Sequence, residues 1–189
     1  MAKQLLGKLL VNTSNDTSGI IVETEAYCGE KDKACHTYGG RITERTSVLY
    51  YPAGTAYIYQ IYGLYYCLNA VTREKGVGEA VLIRACEPLK GLAKMKQNRS
   101  NKKTGKIPKL QNLTSGSGKL CQALGITTAY NKSSLIAGEL CIYDNVSIPE
   151  QSIISAKRIG VEYAAEAKEF LYRFYIKDNA FVSQVNSKQ

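Results

Sequence analysis

The alternation of apolar and polar residues along the chain predicts a series of short strands with few helices. Residues 18–25 (SGIIVETE) are rich in β-formers, follow the polar turn at 12–17 and predict a strand. Glu23, Glu25 and Tyr27 share one face of that strand if it stays extended. Residues 29–45 are polar, contain Gly39-Gly40 and predict a loop with a short helical turn. From 54 to 71 Tyr, Ile and Leu dominate around Gly63, which predicts two strands joined at the corner Tyr62-Gly63-Leu64. Alternation then places Tyr57 and Tyr59 on one face of the first strand, and Tyr65, Cys67 and Asn69 on one face of the second. A third strand is predicted at 79–86 (EAVLIRAC), with Arg84 inside an otherwise apolar run. A charge in that position needs a partner or an aqueous cleft, because burying it alone is costly.

Residues 89–97 predict a helix. At 118–124, Leu120, Cys121, Ala123 and Leu124 recur at helical spacing behind Ser115-Gly116-Ser117-Gly118. Such a helix start presents backbone amides beside Lys119, an arrangement that binds phosphate well. Later strands are predicted at 136–146 and 171–176, a helix near 163–170, and a loose polar tail from Gln184. No repeat or Gly/Ser-rich linker divides the chain, so the pattern predicts one mixed α/β domain with a sheet built mainly from hairpins.

Composition narrows the function. No run approaches the roughly 18 consecutive apolar residues of a spanning helix, and the first twelve residues hold too short an apolar stretch for a secretory signal. The expectation is an intracellular protein with no membrane partner. Six cysteines without a CxxC pair predict reduced, mostly buried thiols. Cys28, Cys35, His36, Glu25 and Asp32 lie close in sequence, but one histidine and no paired-ligand spacing argue against a metal site. The net charge of +9 attracts a polyanion, and residues 94–109 contribute Lys94, Lys96, Arg99, Lys102, Lys103, Lys106 and Lys109 with no acidic residue. Seven of the fourteen tyrosines (Tyr50, Tyr51, Tyr57, Tyr59, Tyr62, Tyr65, Tyr66) lie within one short stretch, and there is no Trp. Strand tyrosines usually pack; on a basic protein they also stack on unpaired bases, at roughly 1 to 3 kcal/mol per base.

Glu25 taken alone is one carboxylate among sixteen acidic residues. The blocks IVETEAY (21–27), AC-HTYGGR (34–41), PAGTAYIYQIYGLYYCLNAV (52–71), AVLIRACEPLKGL (80–92), GKLCQALGI (118–126), RFYI (173–176) and FVS (181–183) change that picture. Together, in this order, they resemble the alkyladenine (3-methyladenine, methylpurine) DNA glycosylases over nearly the whole chain. The resemblance implies a single glycosylase domain spanning 1–189, of α/β (α+β) class, with a curved, mainly antiparallel sheet flanked by helices and a protruding β-hairpin. It implies a base-excision repair enzyme that flips a damaged purine out of double-stranded DNA, as an enzyme working on a stacked base must. Hydrolysis of the N-glycosidic bond would follow, with no cofactor and no metal, by a monomer localised with the DNA.

Residue by residue, the resemblance implies that Glu25 deprotonates the attacking water and that Arg84 orients Glu25. Tyr27, His36 and Tyr59 would stack on the flipped base, and Asn69 would exclude the amino group of normal guanine. Tyr62 would wedge into the duplex, while Arg41, Leu64, Tyr65, Gly118 and Lys119 would face DNA. Two other readings fit parts of the sequence. A non-catalytic nucleic-acid-binding module accounts for the charge and the tyrosines but leaves Glu25, His36, Asn69 and Arg84 together unexplained. A metal-dependent nuclease would use Glu23, Glu25, Asp32 and His36.

Overall fold

The computed structural model describes residues 1–183; the polar tail predicted from Gln184 lies outside the described residues. In chain order the strands are β1 (Leu9–Asn12), β2 (Thr17–Tyr27), β3 (Ala56–Ile61), β4 (Tyr65–Val71) and β5 (Ala80–Lys90). The helices α1 (Leu92–Arg99) and α2 (Ser117–Leu124) follow, then β6 (Leu140–Tyr143), β7 (Ile153–Ala156) and β8 (Arg173–Ile176). All named pairings are antiparallel, in the order β3-β4-β5-β2-β1-β6, with β8 joining β2 and β7 beyond it. The α/β class and the curved antiparallel sheet are therefore as the sequence predicts.

β2 organises the sheet. One edge pairs with β5 along almost its whole length; the other pairs with β1 at 17–20 and then with β8 at 23–25. Between these two partners the β2–β5 register slips on both sides of Glu23. Such bulges bend a strand and re-aim its side chains, and they gather beside active sites. Here the bend lies at the two glutamates, both fully buried.

The short strands β6 and β8 fall inside the predicted 136–146 and 171–176, whereas β1 and β7, equally short, lie outside the predicted strands. β5 runs to Lys90 because β2 continues to pair with it, and α1 therefore starts later than the composition of 89–97 suggests. The predicted helix at 163–170 is only a 3-10 turn, Ala165–Glu169. α2 matches its predicted span and buries Leu120, Cys121, Ala123 and Leu124 against β4, β5 and α1. Full burial of each Leu side chain stabilises the fold by about 1.5–3 kcal/mol. All six cysteines are free, five of them buried.

The β3–β4 hairpin closes through a tight turn in which the Leu64 N–H donates to Ile61 O at 3.2 Å. Tyr62 (φ 51°) and Gly63 (φ 66°) both occupy the left-handed region, as a type I′ hairpin turn requires. Glycine adopts that conformation freely, but Tyr62 does so at a cost of about 1–2 kcal/mol. In return its ring stands 88% exposed at the hairpin tip, with Leu64 74% exposed beside it.

Candidate active site

A cleft of about 300 Å³ opens on the face shared by β2, β3, β4 and β5. Its walls include Tyr27, His36, Tyr57, Tyr59, Asn69 and Arg84, with Tyr62 at the rim and the 159–163 segment opposite. The alternation in the sequence is what brings these together, because Tyr57 and Tyr59 pair in register with Asn69 and Cys67 across the hairpin. His36 enters from the 28–45 loop and packs edge-on to Tyr59, ring centroids 4.8 Å apart.

Glu25 lies fully buried beneath these rings. Its Oε2 accepts from the Tyr27 hydroxyl at 2.9 Å, and its Oε1 accepts from the Ile159 N–H at 2.9 Å. The Arg84 Nε stands 3.6 Å from that same Oε1 and 3.5 Å from Glu23 Oε1. Arg84 thus has the partner its apolar strand demanded, and it has two. Burial raises the Glu25 pKa, opposed by Arg84, the Ile159 N–H and the Tyr27 hydroxyl, with Glu23 adding to the rise.

Glu23 anchors the other side of this cluster. It accepts from Arg173 Nη1 at 3.0 Å and from the Ser183 N–H at 2.8 Å, and the Ser183 hydroxyl also donates to it. Arg84 Nε in turn donates to Ser183 Oγ at 3.1 Å. One carboxylate therefore ties Arg84 to β8 and to the 181–183 segment.

The rings of the cleft are neutral at physiological pH. Burial, then Arg45 and Arg41, pulls the His36 pKa down to about 4, so the imidazole is uncharged near pH 7. Its Nδ1 shares a 2.9 Å hydrogen bond with the Tyr57 hydroxyl, whose own pKa burial pushes up to about 12. Burial likewise raises the Tyr27 and Tyr59 phenols. Asn69 is buried, its Nδ2 donating to Tyr57 O at 3.1 Å, so the amide is anchored in the wall.

With this geometry in place, the comparisons with known proteins are decisive. Residues 1–180 match the model of the family described as methylpurine-DNA glycosylase (MPG). A protein of Clostridium tetani with the name "Putative 3-methyladenine DNA glycosylase" is 50% identical over 188 residues, 97% of this chain and 93% of the relative. Proteins of the same name from Clostridium perfringens and Desulfitobacterium hafniense are 50% and 46% identical, each across 97% of this chain and over nine-tenths of their own length.

The chain belongs to the methylpurine-DNA glycosylase family.

It is accordingly a DNA glycosylase, a hydrolase of DNA repair. Of the residues singled out in the sequence, Tyr27, His36, Tyr59, Tyr62, Asn69 and Arg84 line the cleft, over the buried Glu25. Arg41 lines an adjoining basic cleft with Lys33 and Arg45, separated from the first by His36 and Tyr163. Leu64 and Tyr65 are exposed on the hairpin, outside the cleft. At the start of α2, Ser117 reaches the cleft wall while Gly118 and Lys119 do not. A Cβ on Gly118 would stand 2.9 Å from the Tyr65 Cβ, so glycine there lets α2 back closely onto the hairpin. Burial, then Arg99 and Arg84, lowers the Lys119 pKa.

Sequence reasoning missed Tyr57 as the partner of His36, the Ile159 amide on Glu25, and the roles of Arg173 and Ser183 around Glu23. The last two were visible only as parts of the RFYI and FVS blocks. Asp32, weighed as a metal ligand, is instead engaged by Arg158. Among the described residues no group of three His, Cys, Asp or Glu side chains is placed to hold a metal ion, and no helix is long and apolar enough to cross a membrane.

Proposed function

We propose that the chain acts as one monofunctional glycosylase domain that flips a damaged purine out of duplex DNA and hydrolyses its N-glycosidic bond, leaving an abasic site. The observation that carries this reading is the buried Glu25 carboxylate, which accepts from the Tyr27 hydroxyl and the Ile159 N–H and pairs with Arg84, behind the walls of an aromatic cleft large enough for a base.

Neutral, electron-rich rings attract a purine made cationic by alkylation, because a cation is drawn to an aromatic face. The leaving base is then already activated, so a second carboxylate acting as general acid is not required. Glu25 in its ionised form takes a proton from water as that water attacks the sugar C1′, and its charge also favours the oxocarbenium-like sugar. Arg84 favours that ionised form and fixes the orientation of the carboxylate, while Glu23 fixes Arg84. Asn69, anchored in the wall, stands where the amino group of an unmodified guanine would crowd it.

Tyr62 fills the gap left in the duplex, with Leu64 and Tyr65 beside it on the hairpin. Arg41, Gly118 and Lys119 lie on the surfaces that flank the cleft and meet the phosphates. This enzyme works as a monomer inside the cell, on double-stranded DNA, without cofactor.

Product analysis tests the reading. Incubation with methylated duplex should liberate free methylpurine and leave an intact strand that breaks only on heating in alkali, equally with and without EDTA. Direct strand cleavage, or loss of activity with the chelator, would instead support the nuclease reading.

A further inference from the structure

Arg158 has no part in the mechanism above, yet it is among the most enclosed charges of the molecule. Its side chain is fully buried, and Nη1 and Nη2 donate to Asp32 Oδ2 and Oδ1 at 2.5 and 2.8 Å, a two-bond fork. The same two nitrogens donate to Ala26 O at 2.8 Å and Ala167 O at 3.1 Å. The guanidinium carbon lies 4.8 Å from the centre of the Tyr27 ring and 5.3 Å from that of Tyr172. Asp32 also accepts the backbone N–H groups of Cys28 and Ala34, each at 3.0 Å.

One ion pair therefore ties three segments together: the end of β2, the 28–36 loop and the 157–167 strip. Each supplies a part of the cleft. β2 brings Tyr27, the loop brings His36, and the strip brings the Ile159 N–H that follows Arg158 directly and bonds Glu25. Buried ion pairs seldom add net stability over apolar packing, because desolvation offsets the attraction. Conformational specificity is the better account of this one.

We propose that Arg158, clamped on Asp32, is a positioning residue of the glycosylase reaction: it supports Tyr27 from outside the cleft and aims the Ile159 amide at Glu25. The inference rests on the reading of Glu25 as the group that activates water. It acts by preorganisation, since misplacing reacting groups by about 1 Å can cost on the order of 100-fold in rate.

Two variants test it. Arg158→Lys keeps the charge and loses the planar fork. The double variant Asp32→Asn/Arg158→Gln removes both charges, so that no buried ion is left without a partner. Single-turnover release of methylpurine from methylated duplex, per folded enzyme, should fall about 10- to 100-fold in each, with affinity for undamaged duplex unchanged.

The pH profile separates positioning from general weakening of the fold. Glu25 is faced by Arg84 from β5, Glu23 and Tyr27 from β2, Cys67 from β4, and Arg158 itself. In Arg158→Lys all these charges remain, while the Ile159 amide and the Tyr27 hydroxyl both loosen on Glu25. Both donors favour the carboxylate form, so their loss moves the ascending limb of rate against pH to higher pH. Variants that merely unfold at lower temperature, with wild-type rate and wild-type profile per folded enzyme, would overturn the inference. Wild-type enzyme run in parallel distinguishes the two levels: no base release by the wild type sinks the glycosylase reading, whereas release with unaltered variant kinetics sinks only the role of Arg158.

Discussion

Replacing Glu25 by Gln is expected to abolish base release almost completely while leaving DNA binding in place. Positioned general bases contribute about 10² to 10⁴-fold in rate, and the amide cannot take the proton of water, so single-turnover release should fall within that range. The shape of the site changes little, because Gln is nearly isosteric with Glu. Stability supports the same separation. Burial raises the Glu25 pKa, so the native state holds its proton more tightly than the unfolded chain does. A carboxyl shifted in that direction subtracts stability as pH rises past its unfolded value. The Gln variant has no such charge to bury, and its Tm at neutral pH should lie close to that of the wild type. Binding to damaged duplex, followed by gel shift, should then persist in a variant that releases no base. Unchanged release would remove Glu25 from the mechanism.

Tyr62→Ala should produce the second largest loss, and the loss should depend on the form of the DNA. Extracting a nucleotide from a duplex costs a few kcal/mol of pairing and stacking, and a ring inserted into the gap offsets part of that cost. At about 1.4 kcal/mol per tenfold, duplex processing should drop roughly 10- to 100-fold. Single-stranded DNA, with little stacking to restore, should show a much smaller change. The backbone favours this assignment, since Tyr62 carries a left-handed φ of 51° and 88% exposure that packing within the protein does not explain. Strain of this kind collects at functional positions. Equal losses on both forms of DNA would argue against a wedge.

The two residues differ in how far the sequence revealed them. Tyr62 sits in a corner that the run of tyrosines and Gly63 predicts directly, and strand alternation puts Tyr57 and Tyr59 on one face and Cys67 and Asn69 on another, which the register then sets opposite each other. Arg84 declared its need for a partner by interrupting an apolar strand. Glu25 gave no such local sign, because what makes it unusual comes from far away in the chain: the Ile159 amide is 134 residues distant. The Glu23 cluster depends on Ser183, 160 residues away. No periodicity reports contacts of that range; the collinear family resemblance pointed to Glu25 itself, left Ile159 outside its blocks, and held Ser183 only as the end of FVS. β1 and β7 were hidden for a different reason, since their place is set by pairing with β2, β6 and β8. Asp32 shows that proximity in sequence can mislead: beside Cys28, Cys35 and His36 it resembles a metal ligand, yet its carboxylate is committed to Arg158 and two backbone amides.

The central claim is that ionised Glu25 activates water for a base already primed to leave. Its most direct test is the pH dependence of single-turnover release of 3-methyladenine, which leaves a cationic nucleoside as a neutral base, needs no further proton, and carries no 2-amino group for Asn69 to crowd. With Glu25 raised above the usual carboxylate range, the wild-type rate should climb with pH through that elevated value and then level off. His36, with its pKa pulled down to about 4, should add no limb near neutrality. The Glu25→Gln variant should give a low, flat profile. A wild-type rate that does not rise with pH, or a rise that survives in Glu25→Gln, would contradict the account.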